Sequence, residues 1–532
     1  MRATNMKKAI FNTRLLVALM VAVATLLTAS AHAAAPGITG PTFNLRAEAA
    51  YITQPDGSMI YSWGYGCDGA PAGFAPAGIT NRFCSTMQLP GPTLIVTQGQ
   101  TVTVNLVNAL PTAAGNTSIL FPGFNVTTSG GVDGLLTKEA APAGTVSYTF
   151  TASTPGTRSY YSGTQGDLQI EMGLYGAIIV LPSSVPGDCT SGVHTSNQTA
   201  QSHWGENDFR LAAAAYNHPK ACYDREYLFQ FSEMDPRIHR EALVQVTAKT
   251  GCVAGAADCQ LNVATEPYVP AYFMINGRSM PDDMDTNYAP QYPHQPYNGN
   301  PHMHPGEQVL LRIVGQGRWQ HPFHEHGNHV RILARDGNLI LSSATANDPN
   351  LAGPALFTTT TTPGLAMDGI FYWTGKGLNW DPYGHNARAD VADPLAHLTC
   401  TPDSNGYNTS APTAINYYEW CQDHNKPLEA APFGDVARGG PATLPEATIL
   451  TNGAWYGGSA YLGPNATGRA VGPTGTTPPS GTIANPPTEE AAFAYMWHSH
   501  NEREITTNNI FPGGMMMMML VDSREFVIDE TN

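Results

Sequence analysis

Two short stretches hold most of the imidazoles that could act together. In "HPFHEHGNH", His321, His324, His326 and His329 fall within nine residues. Far along the chain, "MWHSHNERE" (residues 496–504) places His498 and His500 on either side of Ser499. On an extended strand alternate side chains point to opposite faces. His324 and His326 then share one face and His321 takes the other. His498 and His500 likewise share a face, with Ser499 opposite. If the two segments are neighbouring strands their imidazoles converge, and such clusters suit Cu, Zn, Fe or Ni. The bland alternative is a set of surface histidines hydrogen-bonded to loops. "HMH" at residues 302–304 is a weaker candidate; it precedes Pro305-Gly306 and reads as a loop.

Strands must do the positioning. The chain has 53 Gly and 42 Pro among many short Val/Ile/Thr/Tyr runs, which favours a β-rich fold with long loops. "GPTLIVTQGQTVTVNLVN" (91–108) alternates on either side of a Gly turn and reads as a hairpin. "GTVSYTFTA" and the more apolar "LYGAIIVLP" add strands, so residues 41–182 make one β-sandwich. A polar Ser/His/Asn-rich connection with two cysteines covers 183–223. "REYLFQFSEM", "AYFMINGRSM", "GEQVLLRIVG", "HVRILARDGNLIL" and "GLAMDGIFYWTGKG" read as strands of a second sandwich, residues 224–532. A Gly/Pro/Asn-rich insertion, roughly 376–488, interrupts it before "AFAYMWHSH" and "GGMMMMMLVDS". "ATILTNGAWYGG" is the one hint of a third sandwich inside that insertion.

The whole chain narrows the function further. Residues 1–33 read as a cleaved secretory signal: Arg2, Lys7, Lys8 and Arg14, then "LLVALMVAVATLL", then "AHA". No later stretch is long and apolar enough to span a bilayer. The formal charge of −16 argues against nucleic acid as a partner. The even count of eight cysteines in an exported chain predicts disulfides, paired as neighbours (67–84, 189–222, 252–259, 400–421) because each loop is short. There is no GxSxG, P-loop, HExxH or Rossmann glycine pattern, and no carboxylate pair stands out as a glycosidase couple.

The sequence resembles the multicopper oxidase family, built from cupredoxin domains, over most of residues 85–182, 270–375 and 490–522. The resemblance implies that "HPFHEHG" gives His321 to the blue type 1 copper, His324 to type 2 and His326 to the type 3 pair. The family's HCH motif corresponds to His498-Ser499-His500, whose outer histidines bind the type 3 pair. Several positions depart from the pattern. Ser499 stands where the type 1 cysteine belongs, and Glu504 where the second type 1 histidine belongs. Leu120 and Pro122 replace one first-domain histidine pair; Tyr161 and Gly163 replace the other. Half of the eight histidines of the trinuclear centre are missing.

Blue copper needs a thiolate with two histidines, so ordinary laccase chemistry is not expected. The expected fold is all-β, with tandem cupredoxin-like Greek-key sandwiches and a loop-rich insertion in the second. The expected function is copper binding, or binding of zinc or another divalent metal, at a reduced site drawn from His321, His324, His326, His498, His500, Glu504 and Met515. Met515 corresponds to the family's axial methionine, although core packing accounts for most of "MMMMM". His321 and Glu504 hold either a hard ion or a hydrogen-bonded polar plug. Two rivals stay open: an active copper oxidoreductase with an altered centre, acting on a small molecule or metal ion, and a metal-free structural module. The expected location is periplasmic or secreted. The two-domain members of the family imply a homotrimer.

Overall fold

A computed structural model of the chain describes residues 34–343, 350–376, 383, 401–420, 422, 467–468, 483–484 and 493–529. The first sandwich pairs two five-stranded sheets. One has the order Met59–Cys67, Thr42–Thr53, Thr101–Asn108, Thr145–Thr151, Thr127–Gly130. Its pattern follows the side chains. Val102, Val104 and Leu106 are buried and face Phe150, Tyr148 and Val146 across an antiparallel ladder, while the threonines and asparagines between them point outward. The other sheet runs Gly156–Tyr161, Tyr175–Leu181, Leu94–Thr97, Gly37–Thr39, Phe74–Ala75.

The hairpin expected over residues 91–108 is not formed. Leu94–Thr97 and Thr101–Asn108 lie in different sheets, and Gly99, at φ +88°, sits where the chain crosses between them. Leu94, Ile95 and Val96 are all buried, and the strand pairs in parallel with Ile178–Leu181 partners on one side and Gly37–Thr39 on the other. A run apolar on both faces belongs inside a covered sheet rather than in a half-exposed hairpin.

The second sandwich sets a larger sheet (Tyr272–Ile275, Arg225–Met234, Gln308–Gly315, Ala366–Tyr372, Val330–Arg335, Asn338–Leu339, with Ala355–Leu356 at the side) against a five-stranded one. The latter runs His302–Met303, Met516–Val521, Phe493–Ser499, His321–Glu325, Thr358–Thr361. Phe231, Phe323, Phe371, Trp497, Met515, Met517 and Met519 fill the space between the sheets. Most of the methionine run is therefore core, as packing of an apolar terminal strand requires. The two sandwiches lock together through Gly156–Tyr161: Thr157 donates to Asp368 from both N (3.1 Å) and Oγ1 (2.6 Å), and Ser159 donates to Gln316 Oε1 at 2.8 Å.

Two helices of twelve and thirteen residues escaped the strand-by-strand reading. Gly192–His203 docks the 183–223 connection onto the second sandwich through Asn197 and Gln201. Pro236–Ala248 follows directly after Arg225–Met234 and buries Ile238 and Ala242 in the core of the first sandwich. Its start was legible: Asp235 caps it by accepting from Arg237 N, and Pro236 occupies the first turn.

The disulfides Cys67–Cys84, Cys189–Cys222 and Cys252–Cys259 are formed. The signal segment, the Cys400–Cys421 pair and "ATILTNGAWYGG" lie outside the described residues. No helix among the described residues is long and apolar enough to cross a membrane.

Candidate metal centre

His321–Glu325 and Phe493–Ser499 are antiparallel neighbours, with His324 directly opposite His498 and Phe323 opposite Ser499. Cross-strand partners share a face. His324 therefore meets His498 at 5.6 Å between ring centroids and His500 at 4.8 Å. His326 lies 4.9 Å from His324 and 5.4 Å from His498, and His498 lies 5.3 Å from His500. Four imidazoles from two strands thus form one group. The backbone holds its edges: His500 N donates to Pro322 O at 2.7 Å and Trp497 Nε1 donates to His326 O at 2.9 Å.

The surroundings favour the neutral form of His324 and His498. Burial, with His500 and His498 beside it, holds the His324 pKa down to about 4. Burial also lowers that of His498. His324 Nδ1 pairs with Thr358 Oγ1 at 2.7 Å, and His498 Nδ1 donates to Ser499 O at 2.8 Å. With Nδ1 occupied, Nε2 is the donor atom each of these two rings offers. His500 is half exposed and lies 3.3 Å from Glu502. His329 is apart from the quartet: it is exposed and packs edge-on against Phe357 at 5.1 Å.

The opposite face of the same strands is different in kind. His321 is fully buried, and both ring nitrogens meet carboxylates: Nδ1 with Glu504 Oε2 and Nε2 with Glu233 Oε2, each at 2.9 Å. Ser499 Oγ donates to Glu504 Oε2 at 2.5 Å, and Asn501 Nδ2 donates to Glu504 Oε1 at 2.9 Å. Glu233 Oε1 accepts from Arg318 N (2.7 Å), Trp319 N (2.9 Å) and Tyr268 OH (3.0 Å). Burial alone would lower the pKa of His321. The hydrogen bonds and charges of Glu233 and Glu504 override it and raise the value to about 9. At neutral pH this is an imidazolium between two carboxylates. Met515 adjoins it through backbone alone: its N donates to Glu504 O at 2.8 Å and its O accepts from Ser499 N at 3.0 Å, while its side chain lies in the core.

Sequence reading missed Glu233. It sits in "REYLFQFSEM", a strand buried along its whole length, and an acid in such a strand calls for a buried partner. The reading of "HMH" as a loop also needs correction. His302–Met303 is a strand edge paired in parallel with Leu520 and Val521, and both histidines are buried. His302 Nδ1 meets Asp522 Oδ2 at 2.7 Å, and His304 Nε2 meets Glu206 Oε1 at 2.7 Å. Among the described residues, Glu206, His304 and Glu307 are the one set of three whose possible ligand atoms all lie within 4.8 Å of one another. That set already has its cation. Arg225 pairs with both Glu206 and Glu307, and His304 Nδ1 donates to Asp522 O at 2.9 Å.

In the first sandwich, the positions that lack histidine are filled by packing. Leu120 and Tyr161 bridge through their backbones, and a Cβ on Gly163 would lie 2.8 Å from Leu120 Cγ. Tyr161 reaches the second sandwich, where a Cβ on Gly364 would lie 3.3 Å from its ring.

Comparison with known proteins follows the same division. No curated protein sequence matches. Among solved structures, the multicopper oxidase mgLAC is 14% identical with a TM-score of 0.42, over 90% of this chain and 86% of that one. A blue copper oxidase from Nitrosomonas europaea is 14% identical with a TM-score of 0.43, over 90% and 85%. A copper nitrite reductase from Nitrosomonas europaea is 19% identical with a TM-score of 0.36, over 63% and 85%. Sequence models described as multicopper oxidase match residues 79–185 and 264–367, one in each sandwich. Each sandwich thus carries a segment similar to the multicopper oxidase domains that these models describe.

Proposed function

We propose that this protein binds a single copper ion through His324, His326, His498 and His500, and that the adjoining mononuclear-copper position is kept free of metal. The observation that carries the reading is the convergence of four imidazoles, on two paired strands, in surroundings that disfavour protonation of His324 and His498. Neutral nitrogen donors fit copper, with zinc as the second choice. The rings are more widely spaced than the Glu206–His304–Glu307 set, so capture requires them to close. The half-exposed His500 has room to turn inward.

The opposite face does not fit a blue copper. It offers no thiolate, Ser499 Oγ is committed to Glu504, and a metal would have to displace a carboxylate from His321. Those residues form a buried polar plug. Leu120 packed over Gly163 likewise supports loss of the first-domain ligands, so four-electron reduction of dioxygen is not part of this function. Copper, when bound, supplies one-electron redox chemistry; the four histidines hold it, and the plug keeps water and a second ion out. The three disulfides support folding in an oxidising compartment, the periplasm or outside the cell. The quartet is open on its His500 side, and a neighbouring copy in a trimer is the natural cover.

Metal content by mass spectrometry, after reconstitution with copper or zinc, tests the proposal. One copper per chain is expected in the wild type and none in His498→Ala/His500→Ala. Equal metal in both would leave the quartet a structural cluster.

A further inference from the structure

We infer that a cleft on the outer face of the larger second-domain sheet is a binding site for a small carboxylate with an apolar body. The cleft, about 550 Å³, lies where the cover of that sheet ends. Ala215, Tyr216, Ala221 and Tyr223 pack over Leu310 and Leu333. Beyond them, among the described residues, the sheet is open, floored by Leu333, Ile370 and Tyr372, with Lys220 at the edge of the covering segment. Arg331 and Leu333 alternate onto the same face of their strand, and Arg331 is directly opposite Ile370. His329 completes the rim.

The charge here runs against the rest of the molecule. The chain has 42 acidic and 26 basic residues, yet this cleft gathers a lysine, an arginine and a histidine. Lys220 Nζ donates to Asn350 Oδ1 at 3.3 Å, and Arg331 donates through one terminal nitrogen to Gly353 O at 3.1 Å. Both acceptors are neutral, so they orient the cations without cancelling them. Asp224, whose charge reaches Tyr372, is buried and committed to His194 and Asn197. Two permanent cations beside an apolar floor recognise an anion attached to a hydrophobic group. A guanidinium fork favours a planar carboxylate, and the sheet surface favours a ring. The cleft is separate from the histidine quartet, with Phe357 standing between His329 and His324 at 5.1 and 5.7 Å.

The test is calorimetric titration of the full chain with benzoate, benzamide and acetate. Benzoate should saturate one site. Benzamide, which lacks the charge, and acetate, which lacks the ring, should each bind at least tenfold more weakly. Lys220→Gln/Arg331→Gln should weaken benzoate at least tenfold with an unchanged melting temperature, since both side chains are exposed. Benzoate binding indifferent to that double change would overturn the assignment. So would the absence of saturable binding at millimolar benzoate, or equal affinity for acetate.

Discussion

The strand Phe493–Ser499, with the residues that follow it, carries two sites of opposite character on its two faces. On one, His498 and His500 join His324 and His326 in a half-open group in which burial lowers the pKa of His324 and His498. On the other, Ser499 joins Glu504, His321 and Glu233 in a closed, buried group in which a histidine lies between two acidic side chains. Alternation along one strand separates them. Burial strips protons from an imidazole that has only other imidazoles near it, and fixes a proton on one that has two carboxylates. The same residue type is thereby made a metal donor on one side and a counter-ion on the other.

The largest break in this comparison should come from His321→Leu. It leaves Glu233 and Glu504 buried without their cation, and removing one member of a buried ion group costs about 3–5 kcal/mol. Urea denaturation should show that loss, whereas His500→Ala, at a half-exposed position, should cost less than about 1 kcal/mol. Similar values for the two would mean the closed group is not charged.

The pH dependence should divide the faces by sign. His321 holds its proton up to about pH 9 when folded, against roughly 6.5 when unfolded. Its contribution is fully present below pH 6.5 and fades as pH rises through 9, a decline of roughly 3 kcal/mol. His324 behaves oppositely, since its folded value is lowered to about 4. Stability should fall as acid takes the protein from pH 6.5 down through 4, and bound copper should oppose that fall. Melting curves across both ranges check this. A flat alkaline limb in the wild type would remove the imidazolium from the account.

A smaller effect is expected from Ser499→Ala, which deletes a hydrogen bond to a charged group worth about 1.5–3 kcal/mol. Ser499→Cys/Glu504→His sharpens the point spectroscopically. It supplies a thiolate and two imidazoles, but Glu233 still holds His321 Nε2. Copper loading should give no intense thiolate-to-copper absorption until Glu233 is also replaced by Leu. A strong blue colour in the double variant would show that the plug yields to metal.

Much of this was legible in the residues. The spacing of "HPFHEHG" and "HSH" gave the shared faces, because a strand's period of two leaves no choice once the segments pair. Three of the four neighbour-paired disulfides followed from their short loops, and the fourth lies outside the described residues. What escaped had long-range causes. Leu94–Thr97 follows a Gly turn well enough for a hairpin on paper, but its buried run pairs in parallel with Gly37–Thr39 and Tyr175–Leu181 in another sheet. Glu233 lies 88 residues before His321, and nothing local announces that the two meet. Gly192–His203 looked like a polar linker because its buried groups, Asn197 and Gln201, are satisfied by distant carboxylates rather than by apolar packing.

The central claim is that one face takes metal and the other does not. Copper titration calorimetry on the wild type, Ser499→Ala and His498→Ala/His500→Ala tests it most directly. The account predicts one ion bound by the wild type, the same affinity in Ser499→Ala, and no measurable binding in the double histidine variant. Binding that survives loss of His498 and His500, or that disappears with Ser499→Ala, would contradict it.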